Sequence, residues 1–189
     1  PSFVKKNFIP GDEWLYFNVY TGANIADKIL TTAIKNVVAI LKEKGLLDKW
    51  FFIRYNDPKF HLRIRFHFTD PSFKNDIITI FNTYIQPYVD NKSIWKLQLA
   101  TYKRELERYY HHNIGQSETI FSHDSDLVIN LLQKARENND TESLWLYSLQ
   151  SIDSLLDAFE IPIEEKQYLL FQFYKSFYTE FKADKKVRK

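Results

Sequence analysis

The sequence predicts an α+β protein in which a ferredoxin-like antiparallel sheet, with the element order β-α-β-β-α-β, is followed by a group of helices. Three observations predict this fold. Short segments near the start alternate apolar and polar residues, two segments with helical periodicity lie between them, and the pattern after residue 102 is helical. We therefore expect one domain over residues 1–189, with a sheet part at 1–102 and a helical part at 103–189.

The first strand and the first helix are predicted from residues 15–45. Residues 15–20 alternate, as a strand with one buried face does, and Thr21-Gly22 ends them. Gly45 stands where a left-handed C-terminal cap belongs, after the helix predicted at residues 24–44. The apolar residues of that helix recur at helical spacing and are Ile25, Ile29, Ala33, Val37 and Leu41.

The next two strands form a hairpin with a basic face. We expect Tyr55 to pair with Phe60 around the loop 56–59, because this register makes the apolar faces coincide and sets Arg54 opposite His61. The hairpin then presents on one surface Arg54, His61, Arg63, Arg65 and His67. A basic face without an interleaved acid favours recognition of an anion over a merely solvated strand.

The remaining elements follow in order. Asp70 is a typical N-cap and Pro71 suits the first helical position, so a helix begins there and is expected to end before Pro87. A fourth strand at residues 94–102 carries Tyr102 onto the polar face. Later helices are predicted at residues 103–110, 117–121, 126–137, 142–159 and 163–182, with Asp124-Ser125 as the N-cap of the third.

Composition excludes several classes of protein and site. The chain has no cysteine, which excludes disulfides, thiolate zinc sites and a cysteine nucleophile. Its net charge of +2 is too small to favour direct nucleic-acid binding. No histidine pair has zinc spacing and no glycine lies in a phosphate-binding motif, so we predict neither a metal nor a cofactor. Without a signal peptide or a membrane-length apolar segment, we expect a cytoplasmic protein.

Three motifs follow one another between residues 51 and 125. They are F-F-I-R-Y-N-D-P-K-F-H-L-R-I-R-F, then Tyr102-x-x-Glu105-x-x-Arg108-Tyr109, then Glu118-x-x-Phe121-x-x-Asp124-Ser125. Together they resemble the thiopeptide-type bacteriocin biosynthesis domain, which is the C-terminal glutamate-elimination domain of lantibiotic dehydratases.

The resemblance implies a lyase without a cofactor. In that family, serine or threonine of a ribosomally made precursor peptide, esterified with glutamate from glutamyl-tRNA, loses glutamate and becomes dehydroalanine or dehydrobutyrine. The implied partners are the glutamylated peptide and a glutamylating dehydratase domain or protein. The implied catalytic residues are Arg63, Arg65 and Arg108, with Glu105 positioning Arg108. From the polar face itself we add, as substrate-binding residues, Arg54, His61 and Tyr102.

Two departures from the family bear on these expectations. Members usually have a glycine pair after the Arg-Tyr dipeptide, where this sequence has Tyr110-His111. Members also have a distal catalytic histidine, whereas this sequence has none after His123, so we expect a C-terminally incomplete chain. We therefore predict a lyase, but we make no prediction that this chain is active by itself. Two alternatives stay open: a pyridine-forming [4+2] cyclase of thiopeptide biosynthesis, and a non-catalytic module that binds peptide or RNA.

Overall fold

The computed structural model describes residues 4–140 and 142–180, and its strands form two antiparallel sheets. The short strands β1 (Asn7–Phe8) and β6 (Tyr102–Lys103) pair with each other. The larger sheet contains β2 (Trp14–Thr21), β3 (Lys49–Tyr55), β4 (His61–His67) and β5 (Ile94–Ala100). Its spatial order is β3-β4-β2-β5, which is the arrangement of a ferredoxin-like sheet, so the predicted fold class is confirmed.

Helices cover one face of the larger sheet. The first helical segment runs from α1 (Ala23–Ile29) through a π-helical turn (Leu30–Ile34) into α2 (Lys35–Glu43), and the second is α3 (Lys74–Asp90). The ring of Phe81 on α3 stacks on Phe17 of β2 at 4.0 Å and meets Phe66 of β4 edge-on at 5.9 Å. These buried rings lie in the main core, which excludes water from the helix-covered face.

The predicted helix caps are present. Gly45 has φ 66°, and the backbone N–H of Leu46 donates to the carbonyl of Leu41 at 2.9 Å, which closes a Schellman motif. The Asp70 carboxylate accepts from the backbone N–H of Ser72 at 2.8 Å, and Pro71 opens a 3₁₀ turn. Local sequence therefore fixed both of these helix ends.

Several predicted boundaries are wrong. The helix α3 continues through Pro87 to Asp90, because a proline in the last turn removes only one intrahelical bond. The fourth strand ends at Ala100, and Tyr102 belongs to β6. A single turn, α4 (Leu106–Tyr109), replaces the helix expected at residues 103–110. The helix α5 (Ile114–Glu137) is continuous, so the expected N-cap at Asp124-Ser125 lies inside a helix.

The helix α5 covers the edge of the sheet. The backbone N–H groups of Trp50 and Phe52 on the edge strand β3 donate to the hydroxyls of Ser122 and Ser125, each at 3.2 Å. The indole N–H of Trp50 donates to the Asp126 carboxylate at 2.9 Å. Polar side chains of α5 thus take the place of a neighbouring strand and satisfy donors that would otherwise stay unpaired.

The hairpin register differs by one residue from the predicted register. Tyr55 pairs with His61, Ile53 with Arg63 and Phe51 with Arg65. Consequently Phe51, Ile53 and Tyr55 share the face of the arginines, while Arg54 shares the helix-covered face with Leu62. The expectation that Arg54 joins the basic face is therefore wrong. Arg54 instead forms an ion pair with Asp27 of α1 at 2.5 Å, which compensates its charge on that face.

By its internal contacts the chain divides into two compact units, Pro1–Asn138 and Asn139–Lys189. The described part of the second unit contains α6 (Leu144–Ala158) and α7 (Ile163–Glu180). Lys166 of α7 pairs with Asp153 and Asp157 of α6 at 2.6 and 2.5 Å. Over the described residues, the structure contains no helix that is both long and apolar enough to cross a membrane. That one functional domain extends over residues 1–189 stays a prediction.

Candidate active site

Arg65 is buried among three aromatic rings. Tyr16 of β2 and Phe51 of β3 flank it as cross-strand partners, and the central carbon of its guanidinium lies 4.4 and 5.0 Å from their ring centroids. The ring of Tyr102 lies 4.9 Å from the same carbon. We call Tyr16, Phe51 and Tyr102 the Arg65 cage. Stacking on rings favours the cation without using its N–H donors.

In the described part of the chain, the guanidinium of Arg65 has no ion pair with an acid. The residue is 6% exposed, and its Nε and Nη1 atoms have no hydrogen-bond partner among the described residues. Burial lowers the pKa of Arg65, while the nearby Tyr16, Tyr102 and Glu105 act in the opposite direction. Because an arginine in a protein stays protonated, the site keeps a desolvated positive charge with free donors. A carboxylate would neutralise this charge and accept a charge-assisted hydrogen bond from the guanidinium.

A pocket of about 200 Å³ opens beside Arg65. Its walls come from β3 and β4, from the segment that runs from β6 to α4, and from α5. The polar groups that line it are Arg65, Tyr102, Lys103, Glu105, Tyr109, Asp124 and Ser125, and the apolar ones are Phe51, Phe52, Ile53, Ile114 and Phe121. The pocket is therefore apolar over much of its wall, with charged groups of both signs.

Arg63 lies next to this site on β4 and is held by two neighbours. Its Nε–H donates to Nε2 of His61 at 3.1 Å, and its guanidinium lies over the Tyr55 ring at 3.4 Å. His61 is buried, and its Nδ1 lies 2.8 Å from the carbonyl of Lys59. A donating Nδ1–H and an accepting Nε2 satisfy both contacts, so His61 is placed to orient Arg63.

Arg108 and Glu105 lie at the outer side of the pocket. Their side chains pair at 3.4 Å, and both are largely exposed, 72% for Arg108 and 65% for Glu105. Glu105 lines the pocket, whereas neither Arg108 nor Arg63 is among the described residues that line it. Of the three arginines that the resemblance implies to be catalytic, Arg65 alone is among the described residues that line this pocket.

A buried network behind the pocket holds Tyr102. Its hydroxyl donates to Glu118 at 2.9 Å, and Arg104 binds the same carboxylate through two N–H groups at 2.6 Å each. Glu118 is fully buried, and its ion pair with Arg104 compensates the charge that burial would otherwise leave unpaired. Burial, with the Glu118 carboxylate, raises the pKa of Tyr102, so the phenol stays a donor. Tyr102 thus contributes its ring to the site, while its hydroxyl is used internally.

Sequence reasoning missed Asp124, Glu118, Arg104, Tyr16 and Phe51. Asp124 is an exposed residue without a hydrogen bond or ion pair in the described part of the chain, and partial burial of its carboxyl raises its pKa. For two of these residues, Glu118 and Asp124, the sequence contained a signal. They stand in the motif Glu118-x-x-Phe121-x-x-Asp124, whose three-residue spacing places its members along one side of a helix. No cluster of potential metal ligands occurs among the described residues.

The chain is similar to known proteins over nearly its whole length. A family model described as the C-terminal part of lantibiotic biosynthesis dehydratases matches residues 14–189. The nisin biosynthesis protein NisB of Lactococcus lactis subsp. lactis is 28% identical over 141 residues, which are 74% of this chain and 14% of NisB. The subtilin biosynthesis protein SpaB of Bacillus subtilis is 24% identical over 182 residues, which are 95% of this chain and 18% of SpaB.

A solved structure shows the same kind of fold. The crystal structure of the tRNA dependent lantibiotic dehydratase MibB from Microbispora sp. 107891 aligns with a TM-score of 0.62 at 29% identity, over 68% of this chain and 12% of MibB. The chain thus spans less than a fifth of the length of each of these three relatives.

Proposed function

Because the chain belongs to the family of lantibiotic biosynthesis dehydratase C-terminal domains, we propose that it serves dehydration in lanthipeptide biosynthesis by eliminating glutamate from a glutamylated precursor peptide. The partners in this proposal are that peptide and a glutamylating domain or protein, and the compartment is the cytoplasm. The reaction is a β-elimination at an esterified serine or threonine.

The chemistry explains why a cation is needed. A base removes the proton from Cα of the esterified residue, the electron pair forms the Cα=Cβ double bond, and the Cβ–O bond breaks. The bonding electrons of that C–O bond leave with the glutamate carboxylate. Negative charge therefore develops on the carboxylate oxygens in the transition state, and a donor fixed beside them lowers the barrier.

The observation that carries the proposal is the unpaired, buried guanidinium of Arg65 in the wall of a pocket. A buried cation in the wall of the pocket suits a charge-assisted hydrogen bond with the departing carboxylate. The Arg65 cage holds the group in place before substrate arrives, so little reorganisation is needed during the reaction. Arg54 has no part in this proposal, because the observed register places it on the opposite face of the sheet.

Arg63, Arg108 and Glu105 have secondary parts in the proposal. Arg63, oriented by His61, adds positive potential beside Arg65 on the same strand. To Arg108, which pairs with Glu105 and precedes Tyr109 of the pocket wall, we assign a contact with the peptide outside the pocket. Both act on a partly solvated surface, so their contributions are expected to be smaller than that of Arg65.

The test is elimination of glutamate by the full-length protein that carries this chain, given a chemically glutamylated precursor peptide. Arg65→Lys keeps the charge but loses the planar pair of donors. We expect it to lower the rate of glutamate release about 100-fold or more, the cost typical of a lost transition-state donor. Mass spectrometry of the peptide and an assay of free glutamate give the two readouts.

Arg54→Lys is the matched control, since it makes the same change on the adjacent strand but on the helix-covered face. Its rate should stay close to that of the wild type. Undiminished glutamate release by Arg65→Lys would contradict the proposal. A pyridine product without free glutamate would instead favour the cyclase alternative.

A further inference from the structure

The pocket beside Arg65 carries negative as well as positive groups. Asp124 and Glu105 line it together with Arg65, yet neither carboxylate forms a hydrogen bond or ion pair with that guanidinium in the described structure. The nearly buried Arg65, with two free donors, indicates that the pocket takes a ligand with a carboxylate. Separate charges of opposite sign in one small pocket suit a ligand that itself carries both signs.

Of the two acids, Asp124 is the one left free. Both acids are exposed, but Glu105 pairs with Arg108, whereas Asp124 has no hydrogen bond or ion pair among the described residues. Asp124 lies within α5, next to Ser125, which is fixed by the backbone N–H of Phe52. Its backbone position is therefore fixed within the helix, and its exposed carboxylate, without a partner in the described structure, is available to bind a cationic group.

The ligand of the proposed function carries such a group. Glutamate transferred from tRNA is esterified through its α-carboxyl group, so the glutamyl moiety keeps a free α-ammonium and a free side-chain carboxylate. The departing product is a zwitterionic amino acid with one additional carboxylate. A pocket with only arginines would bind glutarate, which lacks the amine, equally well.

We propose that Asp124 binds the α-ammonium of the glutamyl moiety while Arg65 binds a carboxylate of the same moiety, so the pocket selects an amino acid with a free amine. This inference rests on the proposed function for the identity of the ligand. It assigns Asp124 a specificity role and no part in proton transfer.

The test compares two probes, L-glutamate and glutarate, which differ by the ammonium group. Their affinities for the full-length protein are measured by NMR titration for the wild type and Asp124→Asn. We expect the wild type to prefer glutamate by about tenfold or more, the worth of one charge-assisted hydrogen bond. Asp124→Asn should lose this preference by weakening glutamate binding, with glutarate affinity kept within about twofold, since the neutral amide retains the size of the side chain.

A matched control removes an acid from the same helix outside the pocket. Glu137→Gln, at the end of α5, should keep the preference for glutamate. Equal weakening of both probes in Asp124→Asn, no preference in the wild type, or no binding of either probe would each overturn the inference. A preference that depends on Asp124, in a protein that releases no glutamate from the peptide, would refute the proposed function while leaving the amino-acid site in place.

Discussion

At the scale of single residues, Arg65 and Asp124 are charged groups of the candidate pocket that have no oppositely charged partner among the described residues. Arg65 has rings around it and free donors, and Asp124 has no partner in the described structure. The buried Arg65 costs stability, because removing a charged group from water is unfavourable without a partner, whereas the exposed Asp124 costs less. Functional sites are where such costs are retained, so Arg65 marks the site better than the exposed Arg108 and Glu105 do.

The first prediction concerns the stability cost of Asp124. Burial raises its pKa above the ordinary value of 3.8, so the folded state binds the proton more tightly than the unfolded state. Stability from this group therefore falls as pH rises from about 3.8 through the raised pKa. Asp124→Asn should stabilise the fold at pH 7 by about 0.5 kcal/mol or less, since water reaches part of the carboxylate. Urea unfolding at pH 7 and pH 3 checks this, and a gain that persists undiminished at pH 3 would contradict it.

The second prediction concerns Tyr110, which stands where the family usually has a glycine. Its φ of 57° and ψ of 148° are angles that glycine tolerates far better than a residue with a Cβ. Tyr110→Gly should stabilise the protein by about 1 kcal/mol, the relieved strain minus the added flexibility of the unfolded chain. Tyr110→Ala is the control, because it removes the exposed ring and keeps the strain. Equal effects of the two changes in urea unfolding would refute the backbone explanation.

At the scale of elements, α5 joins the sheet to the site. Its inward stripe places Ser122 and Ser125 against the free edge of β3 and Glu118 against Tyr102. Asp124 and Phe121 then line the pocket from the same helix. One helix therefore covers an edge strand, fixes a ring of the Arg65 cage and supplies an acid. A short helix starting at Asp126 would have provided none of these contacts.

The third prediction tests this docking. Ser125→Ala removes the acceptor for the backbone N–H of Phe52 and leaves that donor unpaired beside α5. We expect a loss of about 1–3 kcal/mol in the free energy of unfolding. Ser117→Ala is a matched change in the same helix. In the described structure the Ser117 hydroxyl donates to the carbonyl of Asn113, the N-cap residue of α5, and loss of this local bond should cost little stability. Similar losses for both variants in urea unfolding would contradict the edge-capping role.

At the scale of the whole molecule, the two units differ in how much they bury. The first has a core of large buried side chains, among them Trp14, Trp50, Phe66 and Phe81. In the described part of the second unit, Lys166 is the one buried residue, and large apolar side chains of α6 and α7 are exposed. The described residues that line the candidate pocket belong to the first unit.

The fourth prediction follows from this distribution. A chain of residues 1–138 contains the whole larger sheet, its covering helices and α5, so it should fold with a single cooperative unfolding transition. Circular dichroism during urea unfolding measures the transition, and L-glutamate binding measured by NMR reports on the pocket. A broad, non-cooperative transition for this shortened chain would show that its core is insufficient.

The sequence by itself determined the features that depend on neighbouring residues: the alternation of β4 with Arg63 and Arg65 on one face, the caps at Gly45 and Asp70, and the order of the motifs. The tertiary structure decided the register of β3. In this register Arg54 forms an ion pair with Asp27 of α1, and Phe51 lies beside Arg65. It also decided the continuity of α5, which turned Asp124 from an expected cap into a pocket residue. Local periodicity records which side chains of one strand share a face, but pairing between strands depends on the loop and on partners far along the chain.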